Sequence, residues 1–232
     1  MTISSMESTL IVIGGILLGC LLGLSWFAGS DAPYVPTKMS RIRKVLKMAN
    51  LKKGDIFYEL GSGDGRVIIE AAKMGAKAYG IEQSWIRVLL SRWKSRKLAS
   101  YMSGGNVQFV HGDIFKFLPS TGKHLRGETS VTLPVWSLDK PLDDTPGASE
   151  TPEVDIRKAD LVFIFLLPKG IEKLEPLLKR NLKKGSKVIT QTFHFKNWKP
   201  YKKILITDKT NPNTRLSKDG KLEGDFWIYK IN

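Results

Sequence analysis

Glu59-Leu60-Gly61-Ser62-Gly63-Asp64-Gly65-Arg66 is the stretch on which the fold turns. It follows a short run, 56–60 (IFYEL), that reads as a strand, and it opens a segment, 66–74, that reads as a helix. Three glycines at alternate positions let the backbone turn sharply between the two and approach a ligand closely. In open α/β sheets a loop of this kind lies at the carboxyl end of a strand, where ligands bind at the point at which strand order reverses. The loop is not the dinucleotide pattern. That pattern, G-x-G-x-x-G, needs its third glycine where Arg66 stands. Glu59 and Asp64 would also repel a pyrophosphate, whereas a cationic ligand without phosphate gains from them.

Two further strand ends carry acids. The next strand, 77–82, finishes in Gly80-Ile81-Glu82, and a carboxylate about twenty residues past the glycine loop suits both hydroxyls of a ribose. The third strand, 107–111, runs into Gly112-Asp113, and an Asp there can accept from an adenine amino group. S-Adenosyl-L-methionine is a nucleoside with an ammonium, a sulfonium and no phosphate. It is the expected cofactor, with Glu59, Gly61, Ser62, Gly63, Asp64, Gly65, Glu82 and Asp113 as the candidate binding residues.

The remaining pattern extends the sheet. Met39, Ile42, Val45, Leu46 and Ala49 recur at helical spacing, so 40–50 reads as an amphipathic basic helix. Residues 85–101 form a long basic helix, and its stripe Trp85, Val88, Leu89, Trp93 is read as packing on the sheet. The apolar run 161–167 (LVFIFLL) reads as a buried parallel strand, followed by a helix at 171–181 and strands at 187–193, 203–207 and 226–231. Alternating strands and helices predict an α/β, Rossmann-like sheet of seven strands. The last two, with no helix between them, give it an antiparallel edge. Residues 119–159 are rich in Pro, Thr, Ser, Asp and Glu and read as an insertion, in which only 131–138 (VTLPVWSL) suits a small strand or a docking segment. The chain thus divides into 1–30, an anchor; 31–53, a proline-stiffened linker and basic helix; and 54–232, the catalytic-type domain.

The anchor begins at Leu10 and ends at Phe27 (LIVIGGILLGCLLGLSWF), a run without charge. At about 1.5 Å per residue such a helix matches the hydrocarbon thickness of a bilayer, and Trp26 stands where interfacial aromatics belong. Residues 1–9 hold no Lys or Arg, whereas Lys38, Arg41, Arg43, Lys44, Lys47, Lys52 and Lys53 follow the run with no acid among them. The positive-inside rule then gives a single-pass protein with its domain in the cytosol. The small residues Ala28, Gly29 and Ser30 leave a cleavable leader as the alternative. With 37 Lys and Arg against 22 Asp and Glu the net charge is +15, which favours anionic partners without choosing among them. Cys20 is the lone cysteine and the three histidines are scattered, so neither a disulfide framework nor a metal site is expected.

ELGSGDGRVIIEAA, followed by AYGIEQSWIRVLLSRWKSR, resembles the seven-strand class I methyltransferases. More narrowly it resembles the lysine methyltransferases of the ATP synthase c-subunit and the adenine nucleotide translocase, with their prokaryotic relatives. Tyr34-Val35-Pro36-Thr37 stands where that family has a motif ending in V-P-A-T, one residue shorter here, and KVITQTFHFKNWKP matches its aromatic and Pro-rich stretch. The 119–159 insertion departs from the vertebrate pattern. The resemblance implies methylation of a protein lysine at the membrane, with Tyr34, Pro36, Thr37 and Trp198 as catalytic candidates. Methyl transfer to nitrogen needs positioning and a neutral amine, and an aromatic channel lowers a lysine pKa by desolvation. Tyr34, Phe193, Phe195 and Trp198 are candidates for its lining. A lipid, a quinone or RNA as methyl acceptor, and an inactive cofactor-binding relative, remain as alternatives. RNA is not favoured, because no interleaved aromatic and basic module accompanies the charge.

Overall fold

β1 (Ile56–Leu60) lies at the centre of an open sheet, paired in parallel with β2 (Lys77–Glu82) on one side and β5 (Leu161–Ile164) on the other. The computed structural model describes residues 5–27, 36–97, 106–118, 135–137, 155–205 and 225–232. β3 (Asn106–His111) extends the sheet in parallel beyond β2, and β6 (Lys187–Gln191) does so beyond β5. β8 (Phe226–Lys230) runs antiparallel to β6, and β7 (Lys202–Ile204) antiparallel to β8 at the edge. The antiparallel edge expected from the final strand pair is therefore present. The seven expected strands are all present, and β4 (Val135–Ser137), inside the segment singled out within the insertion, adds an eighth by pairing antiparallel with β3. The rest of the insertion up to 154, the linker residues 28–35 and Tyr34 with them lie outside the described residues.

Helices cover both faces. α2 (Met39–Met48), α3 (Arg66–Lys73) and α4 (Trp85–Lys97) pack on one, around Ile42, Leu46, Phe57, Ile68, Phe109 and Phe163. α5 (Ile114–Phe117) and α6 (Pro168–Asn181) pack on the other, around Tyr58, Ile81, Val110, Leu174 and Tyr229. The chain leaves β1 toward β2 and β3, then crosses back to β5 and β6. Strand order thus reverses between β1 and β5, and their carboxyl ends open a cleft at the switch point.

Three departures from the sequence reading have local causes. β5 stops at Ile164 and α6 begins at Pro168, because proline at the first helical position has a preset φ and no N–H to leave unpaired. β6 stops at Gln191, since Thr192 takes a positive φ of 68°. The α4 stripe does not pack on the sheet as expected. Val88 is buried, but Trp85, Leu89 and Trp93 are 56%, 47% and 55% exposed. α4 instead turns Arg87, Ser91 and Ser95 inward. Its two buried serines donate back to Arg87 O and Arg92 O within the same helix, so burial leaves neither hydroxyl unpaired and the helix can approach closely.

α1 (Ser5–Phe27) is long and apolar enough to cross a membrane, with a mean hydropathy of 1.9 over Met6–Gly23 and none of that window buried.

Candidate active site

The glycine loop is tied down at both ends. Gly61 N–H and Ser62 N–H both donate to Ile81 O, at 2.9 and 3.0 Å, which fastens the loop to β2, and Gly65 N–H closes the turn onto Ser62 O at 2.9 Å. Gly65 has a φ of 74°, and a Cβ there would stand 2.7 Å from the Phe109 ring and 2.8 Å from Ser91 Cβ, so only glycine fits. Ser91 Oγ, from α4, donates to Gly63 O at 3.1 Å and holds the loop from behind. Sequence reasoning missed Ser91, because a small polar residue inside a basic helix carries no local signal of what it faces.

Four acids stand at the strand tips, in different states of engagement. Glu59 is buried; Ile68 N–H, in the first turn of α3, donates to its carboxylate, and Oε2 has no partner. Burial, then the neighbouring charges of Asp64 and Glu82, push its carboxyl well above the ordinary range. Glu82 is also buried, with Gly63 N–H on Oε2 at 2.8 Å, Ser84 N–H on Oε1 at 2.9 Å, and Arg87 Nη1 3.6 Å from Oε1. Asp64 is gripped by the Arg66 guanidinium, Nε to Oδ1 and Nη2 to Oδ2 at 2.8 Å each, and by Lys94 Nζ. Its carboxylate braces α3 against α4 and also lines the cleft. Asp113 accepts from Phe115 N–H at 2.9 Å and so caps α5.

These residues line one cleft that opens to solvent. Glu59, the loop and Glu82 form its floor, Asp113 and Phe115 one wall, and Phe163 in β5 with Phe165 and Leu166 past its end an apolar lip. Of the expected catalytic residues, Pro36 and Thr37 line the cleft. Thr37 Oγ1 donates to Gln191 Oε1 at 2.9 Å across the sheet edge, and Thr37 O accepts from Arg66 at 3.4 Å. Trp198 is not brought there. It stacks on Phe195, with ring centroids 5.2 Å apart, and lies 5.1 Å from Tyr229. Phe195 is core and Phe193 packs against it, so the apolar lining comes from the β5 end, not from 193–198.

The donor set fits S-adenosylmethionine. A buried carboxylate oxygen without a partner needs a donor, preferably a cation, and the methionine ammonium is one. Glu82 at the tip of β2 and Asp113 past β3 follow in the order of ribose and adenine. Among the described residues no group of His, Cys, Asp and Glu stands together to hold a metal.

Comparison with known proteins agrees with this geometry. The family described as histone methylation protein DOT1 matches residues 24–115. A protein-lysine N-methyltransferase of Saccharolobus islandicus is 31% identical over 180 residues, 76% of this chain and 86% of that protein. The lysine N-methyltransferase of the ATP synthase c-subunit from Homo sapiens is 28% identical over 168 residues, 72% of this chain, but the match spans only 54% of the human protein. Among solved structures, an RNA methyltransferase of Salinibacter ruber in complex with S-adenosyl-L-homocysteine superposes with a TM-score of 0.57 at 25% identity, covering 85% of this chain and 94% of that one.

Proposed function

The chain belongs to the protein-lysine N-methyltransferase family, and from that premise we propose that it methylates the ε-amine of a lysine in a membrane-associated protein. It is an S-adenosylmethionine-dependent methyltransferase. The observation that carries the cofactor side of the reading is the unpartnered, buried Glu59 Oε2 at the floor of the cleft. When bound, the cofactor supplies an electrophilic methyl group on a sulfonium sulfur. Glu59 would hold its ammonium, Glu82 its ribose hydroxyls and Asp113 its adenine amino group.

What the chain's own residues must then do is position and desolvate the amine. A lysine arriving as an ammonium has no lone pair to offer. Phe163, Phe165 and Leu166 surround the approach with apolar surface, which disfavours the charged form and releases the proton to solvent. Pro36 and Thr37 close the opposite side, fixed by the bond from Thr37 to Gln191. The nitrogen–carbon bond forms as the carbon–sulfur bond breaks, so orientation supplies most of the acceleration and no dedicated base is required.

α1 as a membrane span completes the proposal, with the domain on the cytosolic side, where seven basic residues fall between 38 and 53. The test uses radiolabelled S-adenosylmethionine with the full chain and a membrane extract. The expected result is label on a protein band, recovered as methyl-lysine after hydrolysis and lost with Glu82→Ala. Label in the RNA or lipid fraction instead would overturn the choice of acceptor.

A further inference from the structure

α4 carries a feature that the reaction does not use. Trp85, Leu89 and Trp93 sit one turn apart and face solvent as a continuous apolar stripe. Large apolar residues so exposed on one helix mark an interaction surface rather than a fold requirement. Cations surround the stripe. Arg96 and Lys97 are exposed on α4, as are Arg43, Lys44 and Lys47 on α2, which lies on the same face of the sheet. Neither helix contains an acid, and the one acid of α3, Glu70, is buried and paired with Arg43 at 2.8 Å. Between α2, α3 and α4 runs a groove of about 750 Å³, with Met39, Ile69 and Trp93 along it and Lys73 and Lys97 at its rim.

We propose that this face lies on the anionic surface of the bilayer, with Trp85, Leu89 and Trp93 seated at headgroup level and the lysines and arginines against the phosphates. Tryptophan on a basic helix is the composition of an interfacial anchor. The inference rests on reading α1 as a membrane span. The eleven residues from 28 to 38 reach at most about 40 Å, which keeps α2 and its neighbours beside the membrane once α1 is inserted. α4 starts just after the tip of β2, on the same rim of the sheet as the cleft. Docking through α4 therefore holds the cleft beside the bilayer, where a lysine at the end of a membrane-embedded segment emerges.

The experiment uses the full chain reconstituted in phosphatidylcholine–phosphatidylserine vesicles whose acyl chains are brominated near the headgroup. The expected result is quenching of a tryptophan component that disappears in the Trp85→Gln/Trp93→Gln variant, while that variant still binds S-adenosylmethionine. The component is also expected to weaken severalfold in pure phosphatidylcholine or at high salt. Lys97→Gln is expected to lower the docked fraction as if partition fell about fivefold, the value of one interfacial charge. Quenching equal in variant and parent, or indifferent to anionic lipid, overturns the proposal, as does shielding of these two tryptophans by RNA but not by vesicles. Flotation of the same vesicles in alkaline carbonate reads α1 separately. Protein that floats without α4 quenching keeps the span and loses the docking face; protein that does not float loses the span.

Discussion

Glu59→Gln separates the cofactor-binding role of this residue from its structural one. Gln keeps an oxygen for Ile68 N–H, so the first turn of α3 retains its acceptor. What changes is the unpartnered atom, from a carboxylate oxygen to an amide nitrogen, which donates and cannot accept from an ammonium. A hydrogen bond to a charged group is worth about 1.5–3 kcal/mol, so the dissociation constant for S-adenosylmethionine should rise roughly 10- to 150-fold. Stability should not fall with it. The folded carboxyl titrates above its value in the unfolded chain, so the folded state holds more protons in the interval between the two. Stability of the unliganded protein therefore declines as pH rises through that interval, and Glu59→Gln removes this decline. The ligand ammonium prefers the ionised carboxylate, so binding expels a proton and affinity climbs with pH over the same interval, again only in the parent. Titration calorimetry in buffers of different ionisation enthalpy, with thermal unfolding of both proteins across pH, measures all three quantities. An unchanged dissociation constant, or a variant that loses stability and binding together at every pH, would refute the assignment of Oε2 to the ammonium.

Three further substitutions probe the scaffold. Gly65→Ala combines a φ of 74° with a Cβ 2.7 Å from Phe109 and should cost about 2–4 kcal/mol in urea unfolding; a loss under about 1 kcal/mol would mean that the loop is not locked between α4 and β3. Thr37→Val removes the donor to Gln191 Oε1 and leaves a buried acceptor unmet, at a cost of about 1–3 kcal/mol. Its kinetic signature should be a raised KM for the protein substrate with S-adenosylmethionine affinity nearly intact, and equal losses in both would place Thr37 in the cofactor site. Trp198→Ala should lower stability by about 2–3 kcal/mol through lost stacking on Phe195 and Tyr229, yet leave cofactor affinity unchanged by calorimetry; a selective fall in kcat in a protein of parental stability would restore it to the reaction.

The glycine loop and the strand-tip acids were legible because their parts are local. A glycine loop between a strand and a helix, and acids at consecutive strand tips, are fixed by a few neighbouring residues each and need no knowledge of packing. Glu59, Glu82 and Asp113 could therefore be placed by counting along the chain. Asp64 shows the limit. Its position in the loop was readable, but its capture by Arg66 and Lys94 depends on how α4 settles against α3. The same dependence hid the orientation of α4. Periodicity groups Trp85, Leu89 and Trp93 on one side of a helix, but does not say whether that side meets the sheet or the solvent. Ser91 faces inward because the glycine loop comes too close there for anything larger, and Ser95 follows it one turn on with its hydroxyl bonded inside the helix. Trp198 lies away from the described cleft for the converse reason. An aromatic residue in a motif-like stretch looks functional, while its partners Phe195 and Tyr229 lie 3 and 31 residues away and only the fold joins them.

Charge segregation reconciles two properties that at first conflict. A chain of net charge +15 is a poor host for a cationic cofactor and a cationic side chain. The described structure holds many of its cations outside the cleft, while Arg66 and Arg87 line it beside Asp64 and Glu82. Arg43, Lys44, Lys47, Arg96 and Lys97 are exposed on the α2 and α4 layer, whereas Glu59 and Glu82 are buried at the cleft floor, where the low dielectric makes Glu59 costly to ionise without a cation and strengthens its attraction for one. Screening over a Debye length of about 8 Å at physiological salt mutes the outer cations for a ligand already inside, but not the buried acids beneath it. A positive ligand that reaches the cleft thus meets an acidic floor, and an ammonium that comes to rest against Phe165 and Leu166 instead meets an apolar wall that removes its proton. On the proposed reading this contrast would tell the two amines apart, the cofactor's staying charged over Glu59 and the lysine's being neutralised at the lip. A carboxylate introduced at the lip, as in Leu166→Glu, should therefore hold the lysine as an ammonium. It should depress kcat most at neutral pH and recover as pH rises, with the cofactor dissociation constant little altered; a pH–rate profile parallel to that of the parent would defeat the argument.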